Sequence, residues 1–190
     1  MITKIAMTSD FPPFVAIDFE TANSSRNSAC AIAAVRVEDG KIVAREERLI
    51  RPPQNWFQFT YLHGISWNDV ESEPSFDKVW NDFRKILRNI KFIAAHNASF
   101  DSGVLNACCA HYRLKPPACQ FICTVKVARD TWGIYPTKLD CVCRKLKISL
   151  KHHNALSDAE ACARIVVAAA KEGFTPTQTN PKPKRKKSAV

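Results

Sequence analysis

No stretch of this sequence approaches the ~20 consecutive apolar residues that a membrane-spanning helix needs, which argues against a bilayer-embedded protein. A secretion signal is also missing: the apolar stretch within Met1 to Asp10 is too short, and Phe11-Pro12-Pro13 follows at once. A cytoplasmic protein with no membrane partner is the expectation. Internal repeats are absent. Cysteine is plentiful, at Cys30, Cys108, Cys109, Cys119, Cys123, Cys141, Cys143 and Cys162, but the paired, closely spaced blocks of structural zinc sites are not there. Cys141-x-Cys143 and Cys108-Cys109 have the wrong spacing, and the Cys119/Cys123 pair has no second half. Free thiols are expected rather than disulfides or zinc ligands.

Acidic side chains are fewer than basic ones, 18 against 28, for a net charge of +10. Half of that excess lies between Lys171 and Val190, which hold six basic residues and one acid. The chain therefore divides by composition into an N-terminal extension at 1–13, one domain at 14–173, and a basic, Pro/Lys-rich tail at 174–190 expected to be disordered. With 46% hydrophobic residues the domain can bury a substantial core. The tail could track phosphates, serve only as a solvated end, or act as a nuclear-localisation signal. Under the first reading, removing the residues after Gly173 weakens nucleic-acid binding at low salt and spares the chemical step.

The chemistry is carried by the acids that remain. Phe14-Val15-Ala16-Ile17 reads as a buried strand, and side chains alternate along a strand, so Asp18 and Glu20 share one face. Two adjacent carboxylates repel unless a cation lies between them, and Mg²⁺ or Mn²⁺ prefers hard oxygen ligands of this kind. A second strand, Lys91 to Ala95, leads through His96-Asn97-Ala98 into a helix expected to begin between Ser99 and Asp101. Such strand-to-helix junctions are where parallel α/β sheets place their sites. Asp101 also suits the positive end of that helix.

The third segment, His152-His153-Asn154-Ala155-Leu156-Ser157-Asp158, precedes an Ala-rich stretch of strong helix propensity. Asp158 is expected in its first turns, with His153 just before it. An unperturbed imidazole titrates near about 6.5, so His153 could accept a proton from water near neutrality. His152 has the same chemistry at a different spacing and reads as a surface or supporting residue. Four carboxylates and one histidine in this order point to metal-dependent cleavage of nucleic acid.

Together these motifs resemble the DEDDh-type 3′→5′ exonucleases, the family of the proofreading epsilon subunit of bacterial DNA polymerase III, exonuclease X and RNase T. The resemblance covers roughly residues 14 to 170. Asp18 and Glu20 fall in the first motif, Asp101 in the second, and His153 with Asp158 in the third; His63-Gly64-Ile65-Ser66 with Val70 and Pro74 resembles the segment between the first two. It implies two divalent cations held by Asp18, Glu20, Asp101 and Asp158, with Asp18 bridging both, and His153 as general base. It further implies that Thr21, Ala22, Leu62, His63 and Phe100 hold the terminal nucleotide, although packing explains His63 and Phe100 equally well. Nucleic acid with a free 3′ end is the implied partner, DNA favoured over RNA by likeness to the epsilon-like branch. RNA 3′-end trimming, a binding module working only beside a polymerase or another repair partner, and a homodimer stay open. Trp56-Phe57-Gln58-Phe59 could be a stacking surface or packing beneath a loop.

The remaining order agrees with that family. Ala31 to Val37 and Ile42 to Ile50 read as a hairpin about Glu38-Asp39-Gly40. Phe76, Val79, Trp80, Phe83, Ile86 and Leu87 have helical spacing, with an aromatic stripe suited to the core. A short strand near Phe121 and helices at 124–132, 137–146 and beyond Asp158 follow. The expected class is α/β: an RNase H-like fold, a five-stranded mixed sheet with helices on both faces.

Overall fold

The structure is a computed structural model, and it describes residues 11–176. The basic run at 182–187 and residues 1–10 lie outside the described residues. In chain order the elements are β1 (Phe14–Thr21), β2 (Ala29–Glu38), β3 (Lys41–Leu49), α1 (Thr60–His63), α2 (Trp67–Val70), α3 (Phe76–Phe83) with a 3₁₀ turn at Arg84–Leu87, β4 (Phe92–Ala95), α4 (Ser99–His111), β5 (Gln120–Cys123), α5 (Thr124–Trp132), α6 (Leu139–Leu146) and α7 (Ala155–Lys171).

The five strands form one sheet in the order β3-β2-β1-β4-β5. The hairpin forms because Asp39 and Gly40 both adopt positive φ, 48° and 69°, a tight reversal that short polar residues and glycine tolerate. β1 pairs antiparallel with β2 and parallel with β4, and β4 pairs parallel with β5, so the sheet is mixed as expected. Its central strands, the start of β1 and β4, are buried on both faces and accordingly read as unbroken apolar runs rather than alternation, while the edge strand β5 is half-buried.

Alternation along β1 assigns each face its own core. Val15, Ile17 and Phe19 pack with Phe76, Trp80 and Phe83 of α3 and with Val104 and Leu105 of α4. The aromatic stripe of α3 is core, with Phe76 and Trp80 stacked at 5.6 Å. Phe14 and Ala16 face the other way, beneath α5, α6 and α7. On that side the sheet offers Ala16, Ala33 and Ala94, and α7 offers Ala159, Cys162, Ala163 and Val166, all fully buried. Small residues on both partners let α7 settle close to the strands, which brings its first turn over the end of β1. No disulfide joins any of the eight cysteines, of which Cys30, Cys108, Cys109, Cys143 and Cys162 are buried.

Candidate functional site

β1 continues past the apolar run to Thr21, so Asp18 and Glu20 lie at its C-terminal end, on the face covered by α7. Asp18 sits in register with Ala33 and Glu20 with Ala31, and the pairing slips between Glu20 and Thr21. An irregularity of this kind bends a strand and ends its ladder, letting the next residues turn away. The alanines opposite leave the two carboxylates room.

Asp101 comes from the other face. It lies in the first turn of α4 and is only 2% exposed, and its Oδ1 accepts the Phe19 backbone N–H at 3.2 Å. The bond ties Asp101 to the β1 backbone, close enough to Asp18 and Glu20 to repel them. Asp158 reaches the same point from α7, whose first turn is capped by Asn154: its Oδ1 accepts from the Ser157 backbone N–H at 3.0 Å. Oδ2 of Asp158 faces His152 Nδ1 at 3.1 Å and accepts the His153 backbone N–H at 3.3 Å, while its Oδ1 is buried without a hydrogen-bond partner among the described residues.

Electrostatics record the crowding. Burial pushes the Asp18 carboxyl well above the ordinary carboxylate range, and Asp101, Asp158 and Glu20 push it further. Glu20 is raised to about 7 by burial and by Asp158. Asp101 is raised to about 7, again mainly by burial, although the Phe19 N–H pulls it back. Burial also raises Asp158, partly offset by His152. Four mutually repelling carboxyls with one orphaned buried oxygen fit hard divalent cations such as Mg²⁺ or Mn²⁺. Among the described residues, no three His, Cys, Asp or Glu side chains are grouped closely enough to hold a metal ion as they stand.

His153 adopts a positive φ of 62°, and its ring stacks on that of His152 with centroids 4.0 Å apart. It lines a cavity of about 360 Å³ together with Glu20, Glu47, His63, Ile65 and Asn154. Thr21 and Ala22 are buried beside that cavity's Glu20, and the Ala22 carbonyl accepts the Gln58 and Phe59 backbone N–H groups at 2.6 and 3.1 Å. Nδ1 of His63 accepts the Ile65 N–H at 3.0 Å, so Nε2 carries the proton and donates to the Thr21 carbonyl at 3.2 Å. Both nitrogens are engaged in holding the loop, and burial lowers the imidazole pKa. What His63 can offer a nucleotide is therefore a ring face. Phe100, beside Asp101, carries the Arg26 guanidinium over its ring at 5.0 Å, and Arg26 Nη1 donates to the Phe100 carbonyl at 2.9 Å. Leu62 is 42% exposed, next to Tyr61, which is 78% exposed. Trp56 is exposed, while Phe57 packs against Trp67 at 6.5 Å, so the Trp56 to Phe59 segment is divided between surface and packing.

His152, expected as a surface or supporting residue, is exposed and also faces Asp158 Oδ2. Asn154 was not expected at the site, although its signal was present as an Asn immediately before the Ala-rich run. Glu47 and Arg26 carried no signal, because each reaches the site only through tertiary packing.

Comparison with known proteins identifies the family of the domain. The profile of the exonuclease family matches residues 15–166. The chain is 33% identical over 161 residues to DNA polymerase III PolC-type of Halalkalibacterium halodurans and 34% identical over 160 residues to that of Clostridium perfringens, covering 80% of this chain and 11% of each relative. It thus spans about a ninth of the curated relatives it matches. Among solved structures, exonuclease X in complex with 5′ overhanging duplex DNA superposes with a TM-score of 0.70 and 27% identity, over 85% of this chain and 94% of that one. The nuclease domain of 3′hExo, a DEDDh family member bound to rAMP, shares the fold with a TM-score of 0.75 at 23% identity, covering 87% and 94%. With its family profile matched from β1 into α7, over most of the domain, the chain belongs to the RNase T-type exonuclease family.

Proposed function

We propose that this chain hydrolyses DNA from its 3′ end, releasing nucleoside 5′-monophosphates from single strands or frayed ends. The observation that carries the reading is the convergence of Asp18, Glu20, Asp101 and Asp158 at one strand end, with His153 facing the adjoining cavity. Two divalent cations held by the four carboxylates would supply Lewis-acid clamping of the scissile phosphate and stabilise charge on the attacking and leaving oxygens.

The remaining roles belong to the protein. His153 accepts the proton of the attacking water as that oxygen bonds to phosphorus. The bond from phosphorus to the 3′-oxygen of the penultimate nucleotide breaks, and that oxygen takes up a proton from solvent, leaving a 5′-monophosphate and a new 3′-hydroxyl. His152 keeps the His153 ring in place by stacking, and Asp158 anchors the backbone of the same turn. Thr21, Ala22, Leu62, His63 and Phe100 border the carboxylates and hold the terminal nucleotide by backbone contact and stacking. Such contacts need no particular base, which suits a degradative enzyme. Likeness to PolC-type polymerases and to exonuclease X supports DNA over RNA.

The test is to incubate the purified chain with 3′-labelled and 5′-labelled single-stranded DNA and RNA, with Mg²⁺, Mn²⁺ or EDTA, beside Asp18→Asn and His153→Ala. Metal-dependent release of 5′-monophosphates from the 3′ end, lost in both variants, is expected. A second reading follows from the PolC-type relatives: the same chemistry serves within a replication assembly. Retention of a polymerase on the immobilised chain at moderate salt, with little cleavage by the chain alone, would favour it.

A further inference from the structure

We infer that the groove between α6, the loop after it and α7 is a second DNA contact, which seats the phosphates of nucleotides upstream of the 3′ end. The inference rests on the exonuclease reading above. The groove has a volume of about 870 Å³ and meets the cleft at Asn154, which lines both cavities. A strand leaving the cleft past the turn of His153 and Asn154 enters it directly.

The charge of the groove selects its occupant. Lys147, Lys151, Lys171 and Arg164 line it against two acids, Glu160 and Glu172. Glu160 is already neutralised, facing Arg45 Nε at 2.6 Å and Arg164 Nε at 2.9 Å. None of the three lysines is in an ion pair among the described residues. Three unpaired cations along one groove suit a polyanion with regularly spaced charges.

Two details strengthen the match. Lys147 occupies the left-handed C-cap of α6 with a φ of 55°, a place where glycine is the usual choice and a lysine is strained. The strain sets a cation at the groove edge. The floor is apolar, from Leu146, Leu156 and Val167, with Trp132 offering a partly exposed aromatic face of the kind on which unpaired bases stack.

The experiment uses the full chain with Lys147→Glu, Lys151→Glu and Lys171→Glu combined, and a second variant carrying Gln at the same positions, which keeps the test usable if three reversals disturb folding. Binding of 5′-labelled single-stranded DNA of increasing length is measured in EDTA across a salt series, and hydrolysis of a dinucleotide is measured with Mg²⁺ or Mn²⁺. The wild-type chain is expected to bind longer strands more tightly. Either variant should lose that length dependence, weaken about tenfold or more at low salt, and lower the log–log salt slope by about 2, as loss of three single-strand phosphate contacts requires. Dinucleotide turnover should be unchanged. Unaltered affinity and slope in folded variants would overturn the inference. So would unaltered DNA binding joined to lost binding of an acidic protein, which would make the groove a protein-docking surface. Failure of the wild-type chain to cleave the dinucleotide would instead count against the exonuclease reading, and the EDTA binding series is read independently of it.

Discussion

His152 Nδ1 lies 3.1 Å from Asp158 Oδ2, and the His152 ring stacks on His153, so one side chain braces both a carboxylate and the neighbouring imidazole. Loss of a supporting partner of a metal ligand typically costs about 10–100-fold in metal affinity or activity. His152→Ala should therefore weaken Mg²⁺ activation about tenfold or more, while His152→Phe, which keeps the stack, should preserve more of kcat than alanine does. His153→Ala, removing the proposed base itself, should lower kcat by about 10²–10⁴-fold. Metal titrations of steady-state rate distinguish the two histidines. Equal losses in kcat with no change in metal dependence would contradict the division of labour.

The raised carboxyls set a pH dependence on the metal-free protein. Glu20 and Asp101, each at about 7 in the fold, bind protons more tightly there than in the unfolded chain, where carboxyls titrate near the ordinary value of about 4. Their contribution is fully present at acid pH and is lost as pH rises through about 7. In EDTA, thermal melting should therefore show wild type losing more stability between mildly acid and mildly alkaline pH than Asp101→Asn, which cannot titrate. Millimolar Mg²⁺ should restore wild type at alkaline pH by binding the ionised form.

Packing between the helix and the sheet can be tested apart from the chemistry. Ala33 is fully buried under α7 and in register with Asp18. Ala33→Leu inserts bulk where both surfaces are already in contact, and overpacking of this kind costs about 1–3 kcal/mol. The variant should unfold at lower denaturant and lose activity beyond the fraction unfolded, because α7 carries Asp158 and follows directly on His153. Ala44→Leu, on the edge strand, is the control and should leave activity intact.

Gly103 illustrates the opposite case. A Cβ there would come within 3.1 Å of Arg26 Nη1, the end of a flexible side chain rather than backbone. Gly103→Ala should gain up to about 1 kcal/mol of helix propensity, so denaturant melts should show no loss of stability. Displacing Arg26 from Phe100 should show instead as a higher KM for a dinucleotide, with Arg26→Ala behaving alike. A drop in stability with unchanged KM would remove Arg26 and Phe100 from substrate binding.

The elements read best from sequence were those whose pattern is local. Phe14 to Ile17, the Asp39-Gly40 reversal, the stripe from Phe76 to Phe83 and the helix at Thr124–Trp132 each carry their own periodicity or turn chemistry. α1 and α2 escaped notice because four residues hold no helical period. α6 begins at Leu139 rather than Thr137, since Thr137 is occupied elsewhere: its carbonyl accepts from His96 and its hydroxyl from Arg129. At the site, residue types and order were legible as motifs. The His152 to Asp158 contact was not, because it depends on the left-handed turn at His153, and neither was Arg26, which lies 74 positions from the ring it covers.

The four carboxylates are distributed over β1, α4 and α7, and only a completed sheet with α7 seated on it makes them neighbours. The chain consequently carries its own safety catch. A nascent chain still lacking the seventeen-residue α7 has no complete acid quartet. Because α7 forms much of the core on that face of the sheet, a molecule cannot lose the helix and keep that core, so loss of cutting should coincide with loss of the sheet when the protein is gently denatured.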